Sequence, residues 1–311
     1  MAIFCSRILD YIFMMICILV FVTSTILNPL VFWFRFPKLS SNVLASSLLF
    51  SLLSVSDFLT NITFPIIMFI TLAKPTQEPL LRPATRLDQI HFVLFRTLGG
   101  ASAILTSMLA VTRWLRIRYP MMRIKNKVLI GHLVFFSVGP IFGAVTWSVL
   151  RCPLSTSQWS TNYQTVITDG CGFLTLAAHW VIIAHAWFGL IVSLITTIRL
   201  NRSFHPATAA HTRQSIITIL IMNLVISVHT VVSIAVMIVG AVGGRRIDWS
   251  TGVTENPEGA PMLSNISLYY ITPLVMSSAN PIIIFCCNKR IRLFTRIKLS
   301  IVKDRTISDT H

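Results

Sequence analysis

The stretch VLASSLLFSLLSVSDFLTNITFPIIMFITL (Val43–Leu72) carries a single charge in thirty residues, the carboxylate of Asp57. A helix needs about 20 apolar residues to cross the hydrocarbon of a bilayer, so this run is long enough to span. A carboxylate at that depth costs roughly 2.5–3.5 kcal/mol on insertion scales. The whole chain holds only ten acidic residues. One set at membrane depth is a functional candidate, and its neighbours must say what compensates it.

Outward from this stretch, six further segments have the length and composition of spans. They are Tyr11–Phe34, Phe92–Leu115, Val128–Val149, Leu174–Ile198, Ile216–Val242 and Ile266–Cys287. In chain order the third is the most polar, with Arg96 near one end and Arg113 near the other, and the fifth contains His179 and His185. The 311 residues are 54% hydrophobic and 12% charged, with a mean hydropathy of +0.74. A soluble globule carries about 25% charged residues, so the composition is that of a membrane protein. The expected fold is all-α: one seven-transmembrane helix bundle over residues 11–287, after a short N-terminus of residues 1–10.

The formal net charge of +16 does not indicate nucleic acid, because the cations are spread over several connections. Arg35 and Lys38 follow the first span; Arg116, Arg118, Arg123, Lys125 and Lys127 follow the third; Arg199, Arg202 and Arg213 flank the end of the fifth. The C-terminal segment adds Lys289, Arg290, Arg292, Arg296, Lys298, Lys303 and Arg305. The opposite connections hold Glu78, Asp88, Asp169, Asp248, Glu255 and Glu258. The positive-inside rule then puts the basic connections in the cytoplasm and the N-terminus outside. A basic inner surface suits anionic membrane lipid and a cytoplasmic partner. The first span is too long for a signal-peptide core and is expected to stay uncleaved.

Cys152 and Cys171 bracket one outer connection, an oxidising setting in which a disulfide between them is plausible if the two come close enough. Cys286 and Cys287 end the last span, where S-acylation and simple apolar packing are equally good readings. Of the Asn-x-Ser/Thr sequons, Asn61 lies within a span, Asn201 is on the cytoplasmic side, and Asn265 is outside but close to the membrane. No metal signature, phosphate-binding glycine loop or paired carboxylates is present, so no enzyme and no covalent cofactor are expected. Pro65, Pro140 and Pro273 can kink their helices. Residues 288–302 place Ile291, Phe294, Ile297 and Ile301 at helical spacing with Arg292, Arg296 and Lys298 largely on other faces. That pattern predicts an amphipathic helix on the membrane surface, followed by a cytoplasmic tail of residues 303–311.

Four polar signals inside the spans follow one another in a recognisable order. Asn28 stands in Leu27-Asn28-Pro29-Leu30-Val31 of the first span, and Asp57 in Ser54-Val55-Ser56-Asp57-Phe58-Leu59 of the second. Arg113 ends the third in Ala110-Val111-Thr112-Arg113-Trp114, followed by Arg118-Tyr119-Pro120, and Asn280-Pro281 ends the seventh. With this topology, the set resembles the rhodopsin-like (class A) family of G-protein-coupled receptors, as a divergent member. The amphipathic segment then matches the family's short eighth helix.

The resemblance implies a water-filled pocket for a sodium ion. Asp57 would be the charged ligand, Ser102 an oxygen ligand, and Asn28, Ser277 and Asn280 would contribute outer or water contacts. Residue by residue, the alternative is an ordinary interhelical hydrogen-bond cluster around a neutral Asp57 carboxyl. The resemblance also implies that Thr112, Arg113, Trp114, Tyr119 and Pro120 face a heterotrimeric G protein, and that Asn280, Pro281 and Ile284 form the activation motif. Two departures stand out. Thr112 replaces the acid that would hold Arg113 at rest, which predicts raised basal activity, and Ile284 replaces a tyrosine whose hydroxyl serves the active state.

Ligand class is read from the outer halves of the spans. Phe95 stands where an amine receptor keeps an aspartate, and Leu274 where an opsin keeps its retinal lysine, so neither ligand is expected. His91, Phe95, Arg96, Gly99, His179, His229 and Tyr270 are the candidate pocket residues, although aromatic residues near span ends also serve as interface anchors. A peptide or a small chemosensory molecule is the expected ligand. The competing readings are an ion- or proton-coupled transporter using Asp57, and a receptor-like scaffold that does not signal.

Overall fold

A computed structural model of the chain describes residues 2–35, 45–73, 86–119, 125–151, 171–203, 206–242, 268–288 and 293, and side chains for part of these. Among the described residues all regular structure is helical and falls into seven rods. They are α1 (Ala2–Arg35), α2 (Ala45–Ala73), α3 (Arg86–Arg118), α4 (residues 126–151), α5 (Cys171–Ser203), α6 (Pro206–Val242) and α7 (Leu268–Cys287). α1 begins at Ala2, so the expected N-terminal tail is helical and continuous with the first span. No proline or glycine interrupts residues 2–10.

Among the described residues, four of the helices hold stretches long and apolar enough to cross a membrane: Thr97–Arg118, Lys127–Trp147, Trp180–Leu200 and Arg213–Val231. Two shorter apolar stretches, Ile18–Phe34 and Ser277–Cys287, lie in α1 and α7. The chain is a multi-pass membrane protein. Its outward faces agree, because Phe135, Phe136, Trp147, Phe188, Ile191 and Ile198 are exposed, a distribution that water would disfavour and hydrocarbon accepts.

The order of packing places the interior. α1 packs on α2, α2 on α3, α4 on α3 and α5, α5 on α6, α6 on α7, and α7 returns to α1. α3 also touches α5, α6 and α7, which makes it the central helix. Residues 101–110 of α3 are buried without interruption, although their sequence is rich in Ala, Ser and Thr. Small side chains let helices approach closely where lipid supplies no hydrophobic drive between them. The buried core gathers Val31, Leu49, Leu53, Ile104, Leu109, Ile219, Met222 and Ile284. Hydroxyls in this setting bond back to their own helix: Ser51 to Ser47 O and Ser54 to Phe50 O at 3.0 Å, and Thr60 to Ser56 O at 2.8 Å. Each such bond satisfies a donor that hydrocarbon cannot.

α4 is irregular ahead of Pro140. Its helix Asn126–His132 passes into a π-helical turn, Leu133–Ser137, before Val138–Arg151 resumes. Proline lacks the N–H that would bond four residues back, and its ring collides with the carbonyl there, so the chain widens by one residue. The Val138 N–H bonds to Leu133 O within the wide turn. Gly139 is required beside it, because a Cβ there would run into the Val134 carbonyl oxygen. The expected Pro140 distortion is thus a π turn. Pro65 and Pro273 lie in α2 and α7, where side chains at those positions are not described.

The expected eighth helix, residues 288–302, and the tail, residues 303–311, lie outside the described residues apart from Asn288 and Leu293.

Candidate functional site

Asp57 is 1% exposed, and the residues that meet it come from two other helices. Asn280 of α7 is the junction. Its Nδ2 donates to Asp57 Oδ2 at 3.0 Å and to Ser102 Oγ of α3 at 2.9 Å. One amide thus ties α2, α3 and α7 together at a single level. Ser56, next to Asp57, strengthens the α2–α3 contact by donating to Leu98 O at 3.0 Å.

One helical turn along α2, on the same face, stands Asn61. Its Oδ1 accepts from Ser277 Oγ of α7 at 2.6 Å, and its Nδ2 donates to Ser24 Oγ of α1. Asn28, one turn along α1, donates from Nδ2 to the same Ser24 oxygen at 2.5 Å. Ser24, Asn28, Asn61, Ser102, Ser277 and Asn280 are all at most 2% exposed. Two polar layers therefore cross the bundle one turn apart. Asp57, Ser102 and Asn280 form one; Ser24, Asn61 and Ser277 form the other, with Asn28 attached to it through Ser24. Of the residues expected around Asp57, the structure joins Ser102 and Asn280 to it directly. It places Asn28 on Ser24, and Ser277 on Asn61.

The balance of donors and acceptors is uneven. Among the described residues, Asp57 Oδ1, Asn28 Oδ1 and Asn280 Oδ1 are buried with no hydrogen-bond donor. A buried acceptor without a donor costs about 1–3 kcal/mol, more for a charged one. None of the hydrogens nearby reaches these three oxygens, and Asn280 Nδ2 spends both of its own on Asp57 Oδ2 and Ser102 Oγ. A hard cation with oxygen ligands, or a water donating its hydrogens, satisfies such oxygens. The residues present thus fit a sodium ion held by Asp57 and Ser102, with Asn28 and Asn280 left to outer or water contacts.

At the far end of α3, Arg113 is half-buried and Thr112 is 2% exposed. The Thr112 hydroxyl donates to Met108 O of its own helix at 2.5 Å. It carries no charge, and its hydrogen is spent on backbone. Trp114 is half-buried, and Tyr119 is 50% exposed with the Arg118 guanidinium 5.8 Å from its ring centre. Pro120 lies outside the described residues. Exposed Arg118, Lys125, Lys127, Arg199 and Arg213 stand at the ends of α3 to α6 that lie together. At the same end, Gln214 donates from Nε2 to Cys287 O, linking the start of α6 to the end of α7. Pro281 and Ile284 are buried, and Ile284 is part of the apolar core.

The candidate ligand residues fare unevenly. Gly99 and His229 are half-buried in α3 and α6. The side chains of His91, Phe95, Arg96, His179 and Tyr270 lie outside the described ones, as does Cys152, and of Cys171 only the backbone is described. The Cys152–Cys171 pairing therefore falls outside the described residues.

Three polar groups of the interior, Ser24, Asn61 and Asn223, do not stand out in the sequence. Asn61 registered only as a sequon inside a span, yet it links three helices. Asn223 of α6 is 0% exposed and donates to Ile219 O at 2.9 Å, Ser193 Oγ at 3.2 Å and Thr106 O at 3.4 Å, joining α6 to α5 and α3. Gly189 faces it. An asparagine inside an apolar run needs partners just as an aspartate does, and that was the available signal.

No protein-family model and no curated protein matches this chain.

Proposed function

We propose that the chain is a seven-transmembrane receptor of the rhodopsin-like type. It sits in the plasma membrane with its N-terminus outside and passes an extracellular signal to a cytoplasmic heterotrimeric G protein. The observation that carries this reading is the Asn280 junction with Asp57 and Ser102, which ties α2 and α7 to the same helix that carries Arg113. A buried amide that bridges α7 to both α2 and α3 offers a two-state element: the junction holds, or α7 moves away from α3. A ligand that favours one packing shifts the population, and the shift is felt at Arg113 and the cationic ends of α3 to α6.

A sodium ion at Asp57 would supply positive charge to this buried layer and favour the packing in which Asp57, Ser102 and Asn280 converge. Thr112 has a neutral hydroxyl bonded to Met108 O where the family keeps an acid, which supports a raised basal level of signalling. Phe95 and Leu274 speak against amine and retinal ligands, leaving a peptide or a small chemosensory molecule. The reading draws on the resemblance as well as on the site.

The test is nucleotide exchange on a panel of purified G proteins, without ligand, comparing wild type with Arg113→Ala. The expected result is basal exchange on at least one G protein that falls to background in Arg113→Ala. Exchange that is absent, or indifferent to Arg113 for every G protein, sinks the reading. A sodium or proton flux across vesicles that depends on Asp57 would favour a transporter instead.

A further inference from the structure

We infer that Asn61 is a positioning residue for cation binding: by taking the hydrogen of Ser277 it keeps Asp57 Oδ1 open to the ion. The inference rests on the reading of Asp57 as a cation ligand. An asparagine amide has one acceptor and one donating group, and which way it faces is fixed by its partners. Ser24 Oγ accepts from the Asn61 amide nitrogen, which turns the Asn61 carbonyl oxygen toward α7. There it accepts the Ser277 hydroxyl at 2.6 Å.

The alternative acceptor lies one turn away. Ser277 is three residues before Asn280 on α7, and Asn61 is four after Asp57 on α2, so both pairs share a face. Asn280 reaches Asp57 Oδ2, whereas Asp57 Oδ1 has no donor among the described residues. Without the Asn61 carbonyl, the Ser277 hydrogen has a stronger acceptor to turn to, the carboxylate itself. A hydroxyl donating to that oxygen competes with a cation for it. Ser24 and Asn61 thereby act at a distance from the ion, Ser24 by holding the amide and Asn61 by holding the hydroxyl. All four side chains are buried, so solvent does not relax the choice.

The experiment measures thermal unfolding of the full chain in detergent while sodium chloride replaces choline chloride at constant ionic strength. A ligand that binds the folded state raises Tm with its concentration, and the concentration at half-effect reports affinity without any need for signalling. Wild type should show a sodium-specific rise that Asp57→Asn abolishes. Asn61→Leu should move the half-effect concentration upward by about tenfold or more, the usual effect of losing an outer partner of a metal ligand. In the double variant Asn61→Leu/Ser277→Ala the midpoint should match that of Ser277→Ala alone, because with the hydroxyl gone no hydrogen competes for Asp57 Oδ1. Ser24→Ala, a smaller change that frees the Asn61 amide, should shift the midpoint in the same direction and carries the test if Asn61→Leu does not fold. A midpoint in Asn61→Leu or Ser24→Ala within about twofold of wild type overturns the role of Asn61 while leaving the ion site standing. A sodium response that is absent in wild type, or survives Asp57→Asn, overturns the ion site and this inference with it.

Discussion

Replacing Gly189 with alanine should destabilise the bundle where α3, α5 and α6 meet, and the size of the effect follows from the space available. An added Cβ would lie 2.9 Å from Ser107 Cα and 3.0 Å from Ser107 Cβ, and would run into Asn223 Oδ1. Carbon atoms rest at about 3.5–4.0 Å, so α3 and α5 must part by roughly 0.5–1 Å. Part of the obstruction is backbone, which no rotamer change relieves. Overpacking of this kind costs about 1–3 kcal/mol. Moving Asn223 off Ser193, 3.2 Å away, adds about 1 kcal/mol for the weakened hydrogen bond. Alanine's better helix propensity returns about 1 kcal/mol, leaving a net loss of roughly 1–3 kcal/mol. Gly143 is the control, because nothing lies within 4 Å of a Cβ built there. Gly143→Ala should gain up to about 1 kcal/mol from propensity alone. At about 2–4 °C per kcal/mol, Gly189→Ala should lower Tm by several degrees in detergent, and Gly143→Ala should not lower it. Equal melting temperatures for the two variants would refute the close approach of α3 and α5 at Gly189.

Three further outcomes can be checked directly. Asp57→Asn keeps the shape of the side chain and an oxygen for Asn280, so surface expression should stay near wild type while any sodium dependence of signalling disappears; surface labelling beside exchange assays reads both. Thr112→Glu sets a carboxylate next to Arg113 and should lower basal exchange by about fivefold, the effect of ~1 kcal/mol of coupling; unchanged exchange would remove Thr112 from the account of basal activity. Gly139→Ala pushes a methyl group into the Val134 carbonyl and should cost about 1–3 kcal/mol through the π turn of α4, seen as a lower Tm than that of Gly131→Ala, where the added carbon meets nothing within 4 Å.

The sequence by itself determined that the chain is helical and made for a bilayer, and roughly where each helix runs. Hydropathy and length are local properties, and a span must satisfy its backbone within itself whatever surrounds it. For the same reason Asp57 stood out at once: a charge in thirty apolar residues is visible without a neighbour. Its partners Ser102 and Asn280 were reachable from depth along the helix together with family resemblance. The tertiary structure decided the rest. Asn61 and Ser24 pair across helices 37 residues apart in the chain, and Asn61 meets Ser277 over 216 residues, separations that no local pattern encodes. Neutral amides and hydroxyls carry little signal along a sequence, since each can bond back to its own helix, as Thr60 and Thr112 do. Whether Asn223 meets Ser193 or lipid depends on which faces of α3, α5 and α6 are brought together, and Gly189 allows the closeness that makes the difference. The carboxylate was written in the chain; the buried oxygens left without a donor beside it exist only once α1, α2, α3 and α7 have packed.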